Sequence, residues 1–314
     1  MQPERPTSGG DGPPPRCASC GSDATVRSLV FRSRRWPVWD CRTCLCSFVW
    51  PRPGDAELDE VYSGYGNIFE LRNRFLRQRR DERYRAVLSI VEQALGGTGT
   101  LLDVGCSTGA FLSVAKSAGW TPVGVELDAA AVRIAIERTS LPVHVGHGTG
   151  SLAGEERFDV ISMNHYIEHV REPGSEIAAA VRRLRKGGLL LLRTPNGGSR
   201  VPQAFGALWS WFTPPTHLTY FREESFRVVA RQLGLSVATA RVWRGDQYST
   251  PLEVALAFLR GVSGPAGYSR MQTTRRETGG IRAITGLKVL DSATIVKRLF
   301  SPFDDCELLV VLKN

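Results

Sequence analysis

The sequence has no segment that resembles a membrane span or a secretory signal. No apolar run approaches the roughly 18 to 20 residues that a bilayer-crossing helix needs, and Leu189–Leu192 is long enough only for part of a strand. The opening segment Met1–Pro6 lacks the apolar stretch of a signal peptide. We therefore expect a soluble, cytoplasmic protein without a membrane partner.

Lysine is scarce, which weakens a nucleic-acid interpretation of the formal charge of +9. Only 5 of the 40 basic residues are lysines, and such an arginine excess is expected from a GC-rich coding bias rather than from phosphate contacts. One dense group of arginines falls on a predicted helix: Arg72, Arg74, Arg77, Arg79, Arg80, Arg83 and Arg85. This group predicts either a solvated helix face or a site for an anionic ligand or partner.

The rest of the composition is that of a globular chain. Its 314 residues predict roughly two domains, and 42% hydrophobic with 23% charged residues exclude a fibrous or fully disordered protein. Residues 1–16 are rich in proline, glycine and serine, and we expect them to form a disordered tail.

Four cysteines follow the tail in two CxxC pairs, and their spacing predicts a zinc site. Cys17 and Cys20 are separated by 20 residues from Cys41 and Cys44, so four thiolates can close a tetrahedron around Zn²⁺. The alternative is a redox pair with unrelated cysteines, and Cys46 is either an alternate ligand or a spare thiol. Because four thiolates leave no open coordination position, we expect a structural or substrate-presenting zinc rather than a catalytic one.

The segment 17–54 is expected to be a small zinc ribbon. Two short strands are predicted over Thr25–Phe31 and Trp36–Asp40, and the turn Pro51–Gly54 ends the module. Such a segment has too little apolar area to fold without its metal. Residues 55–97 are predicted to form a helical lead-in.

From residue 98 onward, apolar runs alternate with helical stretches. This alternation is typical of an α/β fold, a parallel sheet with helices on both faces. The predicted strands are Leu101–Val104, Pro122–Val125, Phe158–Met163, Leu189–Arg193 and Leu235–Val242, and the predicted helices include Ala129–Arg138 and Ser175–Leu184. We expect a core over 98–248, a mainly helical insertion over 249–303 and a last core strand within 304–314.

A glycine-containing turn follows the first core strand, but it is not a dinucleotide fingerprint. The pattern GxGxxG fails because Ser107 and Ala110 stand where its second and third glycines belong. What remains is DxGxxxG, formed by Asp103, Gly105 and Gly109, whose glycines let a ligand approach backbone amides at the start of a helix.

A carboxylate ends the next strand, about 20 residues after the turn, as the acidic residue does in dinucleotide-binding folds. Glu126 at this position can accept two hydrogen bonds from a ribose diol. The two motifs on consecutive strands together predict a ligand that contains a nucleoside.

The DxGxxxG turn with Glu126 resembles the cofactor site of class I S-adenosylmethionine-dependent methyltransferases, and the similarity continues through Phe158–Val170, Leu184–Asn196 and His217–Phe221. The resemblance implies a Rossmann-like α/β sheet of seven strands with helices on both faces, preceded by the zinc ribbon. It also implies S-adenosylmethionine as cofactor and structural zinc in the ribbon. The cofactor-binding residues that it implies are Asp103, Gly105, Cys106, Gly109, Glu126, Leu127 and Asn164.

The chain is similar to one subgroup of these enzymes, in which a four-cysteine ribbon precedes the methyltransferase domain. Pro51–Pro53 and Tyr62–Tyr65 match the segment that joins the two parts in that subgroup. Its members often lie in bacterial glycan or natural-product pathways and include sugar methyltransferases. The resemblance therefore implies a small-molecule acceptor such as a nucleotide-linked sugar, with O-methylation favoured over C- or N-methylation.

Four side chains are expected to face the acceptor. His165, Glu168 and His169 would share one face of a helix after the fourth strand, and His217 would join them from a later loop. Ubiquinone-pathway O-methyltransferases and small-RNA 2′-O-methyltransferases are similar here, with ExxEH and a later histidine binding a divalent ion; His165 replaces the first glutamate. Three interpretations stay open: a second divalent metal, a metal-free base or substrate contact, and a structural Glu–His pair.

Aromatic residues flank this histidine loop: Trp209, Trp211, Phe212, Tyr220 and Phe221. They predict either a lid or stacking platform for the acceptor, or core contacts beneath the loop.

Two other functions remain as alternatives. One is an RNA methyltransferase that binds RNA through the ribbon, and the other is a non-catalytic scaffold on a methyltransferase fold. The sequence carries no signal for the oligomeric state.

Overall fold

The computed structural model describes residues 14–31, 33, 36–54, 56–58, 74–209, 211–243 and 307–314. Several predictions from the sequence concern segments outside these residues. They are most of the tail 1–16, the tyrosines Tyr62–Tyr65, Arg72 and the insertion 249–303.

A seven-stranded mixed sheet forms the centre of the described chain. Its strands are β4 (Thr100–Val104), β5 (Thr121–Glu126), β6 (Val143–Val145), β7 (Phe158–Asn164), β8 (Leu184–Pro195), β10 (Ser236–Trp243) and β11 (Glu307–Lys313). Across the sheet they follow the order β10-β11-β8-β7-β4-β5-β6. The strands β4 to β8 are parallel to one another, and β11 pairs antiparallel with both β8 and β10. This architecture confirms the predicted Rossmann-like α/β class.

Helices cover both faces of this sheet. They are α1 (Arg74–Leu95), α2 (Ala110–Ser117), α3 (Ala129–Thr139), α4 (Pro173–Arg182), α5 (Arg200–Phe205) and α6 (Glu223–Gln232). Alternate residues of the buried strand β8 point to opposite faces. Leu189 and Leu191 pack with α1 and α2, whereas Leu190 and Leu192 pack with α4, α6 and the cysteine segment.

The cysteine segment does not form a sheet of its own. Its strands β1 (Thr25–Arg27), β2 (Val38–Cys41) and β3 (Ser47–Val49) are joined by β9 (Thr219–Tyr220), which comes from the methyltransferase part of the chain. The first two strands are shorter than predicted, and the sequence analysis did not identify β3 or β9. The ribbon therefore gains packing and backbone pairing from the core in addition to any metal.

The fold gathers the predicted cofactor residues at one edge. Because β4, β5 and β7 are parallel neighbours, the residues at their carboxyl ends meet at the same side of the sheet. No helix in the described part of the chain has the length and apolar character of a bilayer-crossing segment.

The helix expected over His165–His169 is a wrong prediction. His165 has a left-handed backbone with φ of 50°, and Ile167–His169 forms a single 3₁₀ turn. Because a left-handed residue cannot continue a right-handed helix, no helix runs from the end of β7 through His165. The predicted side chains nevertheless come together, because the tight turn folds His165 back towards Glu168.

Candidate active site

The glycine turn after β4 is shaped by close contacts on both glycines. Gly105 has φ of 74°, and a Cβ atom there would lie 2.7 Å from the Tyr166 ring. Gly109 has φ of 75° and begins α2 without a side-chain cap, and a Cβ atom there would lie 3.0 Å from Ala135. Only glycine combines this backbone with this proximity, and the first amides of α2 have no side-chain cap that would compete with a ligand.

Glu126 joins the turn to the following strand. One carboxylate oxygen accepts the Ser107 N–H at 2.8 Å, and the other accepts the Asp128 N–H at 3.0 Å. Each carboxylate oxygen has a second lone pair, so this side chain can still accept two hydroxyl hydrogen bonds. The arrangement fits a ribose diol.

Asp103 is buried at the end of β4. Its carboxylate accepts hydrogen bonds from Ser162 Oγ at 2.6 Å and from Asn164 Nδ2 at 3.4 Å. Burial raises the pKa of Asp103 to about 7 against the opposing effect of these two donors. Asn164 Oδ1 is itself buried without a hydrogen-bond partner among the described residues, as expected if a ligand supplies the missing donor.

Cys106 and Leu127 take different positions although the resemblance implied both at the cofactor. The Cys106 side chain packs into a small core with Leu112, Val132 and Val143. Burial raises the pKa of the Cys106 thiol, so it is held as a neutral core group. Leu127 is 55% exposed directly after Glu126, where an apolar ring of a ligand can cover it.

Glu168, His169 and His217 form a compact group after β7, which is called the acceptor group because the sequence predicts that its residues face the acceptor. One potential ligand atom from each lies within 4.8 Å of the other two. Both Glu168 carboxylate oxygens are buried and make no well-aligned hydrogen bond within the described part of the chain, although His165 Nδ1 approaches Oε1 to 3.3 Å. A buried carboxylate with this single weak contact beside two imidazoles fits a divalent cation as a further partner.

Backbone carbonyls fix both imidazole rings. His169 Nδ1 lies 2.8 Å from the Thr216 carbonyl oxygen, and His217 Nδ1 lies 2.7 Å from the Trp211 carbonyl oxygen. A carbonyl only accepts, so Nδ1 is the donor in each ring and Nε2 is the nitrogen left to face a ligand. A carbonyl bound to the other ring nitrogen in this way orients histidine ligands in metal sites.

Burial and mutual proximity set the charges of the group. Burial raises the pKa of Glu168, but the neighbouring His165, His169 and His217 outweigh it and bring the pKa to about 2. Burial and the neighbouring His169 lower the pKa of His217 to about 3. His217 is therefore a neutral imidazole near pH 7, which suits ligation and makes it a poor proton acceptor.

His165 lies beside the group rather than in it. Its Nδ1 is 3.3 Å from Glu168 Oε1, and its Nε2 is 3.7 Å from Glu307 Oε1. Trp211 stacks on the His165 ring at 5.4 Å and on the His217 ring at 5.7 Å between ring centroids. The left-handed backbone of His165 thus places its ring between two buried carboxylates.

Most of the flanking aromatics are core residues. Trp209, Phe212 and Tyr220 are buried against Phe31 of the cysteine segment, with Phe31 stacked on Phe212 at 5.1 Å and on Tyr220 at 4.9 Å. Phe221 is buried against α6. These contacts agree with the prediction of core packing beneath the loop, whereas Trp211 stacks on the rings of His165 and His217.

The four predicted zinc ligands lie together: Cys17, Cys20, Cys41 and Cys44. Two of the Sγ–Sγ separations are 3.6 and 3.7 Å, close to the edge of about 3.8 Å that a tetrahedral ZnS₄ centre requires. The donor set therefore fits zinc. Cys46 is also near, at 3.5 Å from both Cys17 and Cys44.

The sequence analysis missed a buried charge cluster beside the acceptor group. Arg193 of β8 donates to Glu307 of β11 from Nε and Nη2, both at 2.9 Å. Arg83 approaches the same carboxylate at 3.9 Å, so one member of the arginine group faces inward. The signal available in the sequence was Arg193 at the end of an apolar strand. A guanidinium that is buried there needs a buried acidic partner.

The sheet order, the glycine turn on β4 and the acidic end of β5 define a class I S-adenosylmethionine-dependent methyltransferase. The profile of the methyltransferase domain family matches residues 74–240, more than half of the chain. The chain belongs to this family, and an enzyme is supported over a scaffold.

The chain is also similar to ubiquinone biosynthesis O-methyltransferases. It is 26% identical to that of Alkalilimnicola ehrlichii over 174 residues, 48% of this chain and 69% of the relative. It is 30% identical to that of Ruegeria sp. over 126 residues, 37% of this chain and 51% of the relative. The chain thus spans between half and about two thirds of the length of these curated relatives.

Among solved structures, BH2331 from Bacillus halodurans C-125 is 15% identical with a TM-score of 0.51, over 74% of this chain and 98% of that one. An S-adenosylmethionine-dependent methyltransferase from Archaeoglobus fulgidus is also 15% identical, with a TM-score of 0.49 over 76% of this chain and 94% of that one. At this identity the first similarity shows the fold alone.

Proposed function

We propose that the protein transfers a methyl group from S-adenosylmethionine to an oxygen of a small-molecule acceptor held at Glu168, His169 and His217. The observation that carries the proposal is the buried Glu168 carboxylate, which faces two imidazoles already oriented by backbone carbonyls. The similarity to O-methyltransferases supports an oxygen acceptor.

In the proposed site, different residues bind the ribose and the amino acid end of the cofactor. Glu126 binds the ribose, and Asp103 with Asn164 orients the amino acid end. Gly105 and Gly109 keep the turn open to it. The bound cofactor supplies an electrophilic methyl group, and the protein holds the acceptor in line with it.

Glu168, His169 and His217 would hold a divalent cation. A cation in this position would bind an acceptor hydroxyl and lower its pKa. Two imidazoles with one carboxylate favour Mn²⁺, Fe²⁺ or Co²⁺ over Mg²⁺, which prefers oxygen ligands. His165, which is partly exposed beside this group, is proposed to receive the acceptor proton.

The proposed acceptor class is a sugar, glycan or natural-product intermediate, such as a nucleotide-linked sugar. Vicinal oxygens of such molecules can chelate a cation, and the exposed part of Trp211 can contact a ring. The resemblance to the ribbon-containing subgroup supports this class, and the similarity to ubiquinone biosynthesis O-methyltransferases supports an intermediate of such a biosynthesis as the second candidate.

Labelled methyl transfer tests the proposal. The protein is incubated with S-adenosylmethionine carrying a labelled methyl group and with cell extract divided into small-molecule, RNA and protein fractions, and the Glu168→Gln variant serves as the blank. Label in the small-molecule fraction supports the proposal. Label in RNA or protein contradicts the proposed acceptor class and leaves the reaction type intact.

A further inference from the structure

The ribbon reaches the acceptor group through its third strand. β3 pairs with β9 immediately after His217, with Phe48 opposite Thr219 and Ser47 opposite Tyr220. The Val49 N–H extends this pairing by donating to the Leu218 carbonyl at 2.9 Å. The backbone that follows His217 is thus held in register by the cysteine segment.

Arg52 adds a side-chain clamp at the same point. Its Nη1 donates to the Leu218 carbonyl at 2.8 Å, and its Nη2 donates to Thr219 Oγ1 at 3.3 Å. The guanidinium lies 5.7 Å from the centre of the Phe48 ring, which limits its movement. One planar group thus holds the Leu218 carbonyl and the adjacent Thr219 side chain, which fixes the position of this segment.

Leu218, which is held in this way, also contacts the turn that carries Glu168 and His169. The Leu218 N–H donates to the Glu168 carbonyl at 2.8 Å. Leu218 therefore links the ribbon on its carbonyl side to the Glu168 turn on its amide side. Movement of Leu218 would shift His217 relative to Glu168 and His169.

We infer that Arg52 is a positioning residue for His217, and that the zinc ribbon is thereby a structural part of the acceptor site. The inference rests on the proposed role of His217 in that site. It assigns the ribbon the role of holding the backbone next to His217 in place.

Histidine NMR tests this inference directly, because the chain has only five histidines. The ring ¹⁵N signals of His217, identified by their loss in His217→Gln, report whether Nδ1 keeps its proton and its hydrogen bond to Trp211. We expect Arg52→Met to shift these signals towards a mixture of tautomers and Arg52→Lys to restore them in part. The matched control is Arg27→Met, because Arg27 lies over the Trp39 ring of the same ribbon at 5.3 Å but is exposed.

Two further readouts accompany the spectrum. Affinity for S-adenosylhomocysteine shows that each variant is folded, and Arg52→Gln replaces Arg52→Met if the latter does not fold. Mn²⁺ titration of the zinc-loaded protein is expected to show at least a roughly tenfold weaker affinity in Arg52→Met.

Unchanged His217 signals in a folded Arg52→Met protein would overturn the inference. Absence of Mn²⁺ binding in the unsubstituted protein would contradict the proposed metal instead. The ring signals would then still decide whether Arg52 positions His217.

Discussion

At the scale of single residues, the same burial acts in opposite directions on the two kinds of acceptor-site group. For the acid Glu168 burial raises the pKa, and the adjacent imidazoles reverse the effect, so the carboxylate stays ionised. For the base His217 burial lowers the pKa, so the ring stays neutral. The ionised carboxylate and the neutral ring are both in the protonation state in which such side chains bind a cation.

We predict that Glu168→Gln abolishes metal binding at the acceptor group. The amide lacks the negative charge that compensates a buried cation, so Mn²⁺ affinity should fall by at least about a hundredfold and turnover should fall with it. Calorimetric Mn²⁺ titration and labelled methyl transfer measure the two effects. Glu172→Gln, an exposed change four residues away, should leave both unchanged, and equal losses in the two variants would contradict the assignment.

Glu126→Gln is expected to weaken binding of S-adenosylhomocysteine about tenfold. The amide can accept at only one of its two terminal atoms, so it cannot receive the Ser107 and Asp128 amides and a ribose diol together. Isothermal titration measures the affinity, with exposed Glu137→Gln on α3 as the control. Full affinity in Glu126→Gln would remove this residue from the cofactor site.

At the scale of elements, the sequence predicts units whose residues are neighbours along the chain, and it does not predict strand pairing between segments that are far apart in the chain. The β4–turn–α2 unit could be predicted because its glycines and Asp103 lie within a few residues of one another. β9 is two residues long and pairs with a strand more than 160 positions earlier, so no period in the sequence reveals it. The predicted helix at His165 failed because its spacing also fits a tight 3₁₀ turn, and the left-handed backbone of His165 selects the turn.

The Arg193–Glu307 pair joins the strands β8 and β11 inside the protein. Because both side chains are buried, Arg193→Met removes the hydrogen-bonded partner of the Glu307 carboxylate and leaves only the more distant Arg83 and His165 beside it. We predict a loss of about 3 kcal/mol in the free energy of unfolding. Equilibrium urea unfolding measures this loss.

The control for this prediction is an exposed ion pair. Arg227→Met breaks the contact of Arg227 with Glu223 on the surface of α6, and it should cost less than about 1 kcal/mol. A similarly small loss for Arg193→Met would show that Glu307 is neutralised by other groups.

At the scale of the whole molecule, the ribbon is embedded in the enzyme. Beyond the pairing with β9, Ser225 of α6 donates to the Cys44 carbonyl at 2.9 Å, and Gln232 donates to the Cys20 carbonyl at 3.0 Å. The spacing of the cysteines predicted that the four thiols lie together. It contained no information on this docking, which depends on contacts between segments distant in sequence.

Removal of zinc with a chelator is therefore predicted to loosen more than the ribbon. Hydrogen exchange should accelerate at β1 to β3, β9 and α6, while α2 and α3 stay protected, because they pack on other parts of the sheet. Mass spectrometry of exchanged peptides measures this. Acceleration confined to β1 to β3 would contradict the embedding of the ribbon.

The central claim is that a cation binds at Glu168, His169 and His217 beside the cofactor turn. A crystal structure with S-adenosylhomocysteine and Mn²⁺, with anomalous data at the manganese and zinc edges, tests it most directly. We predict a zinc peak among the four cysteine sulfurs and a manganese peak bounded by Glu168 and the two Nε2 atoms. A Glu168 carboxylate without a metal peak in the presence of excess Mn²⁺ would contradict the account.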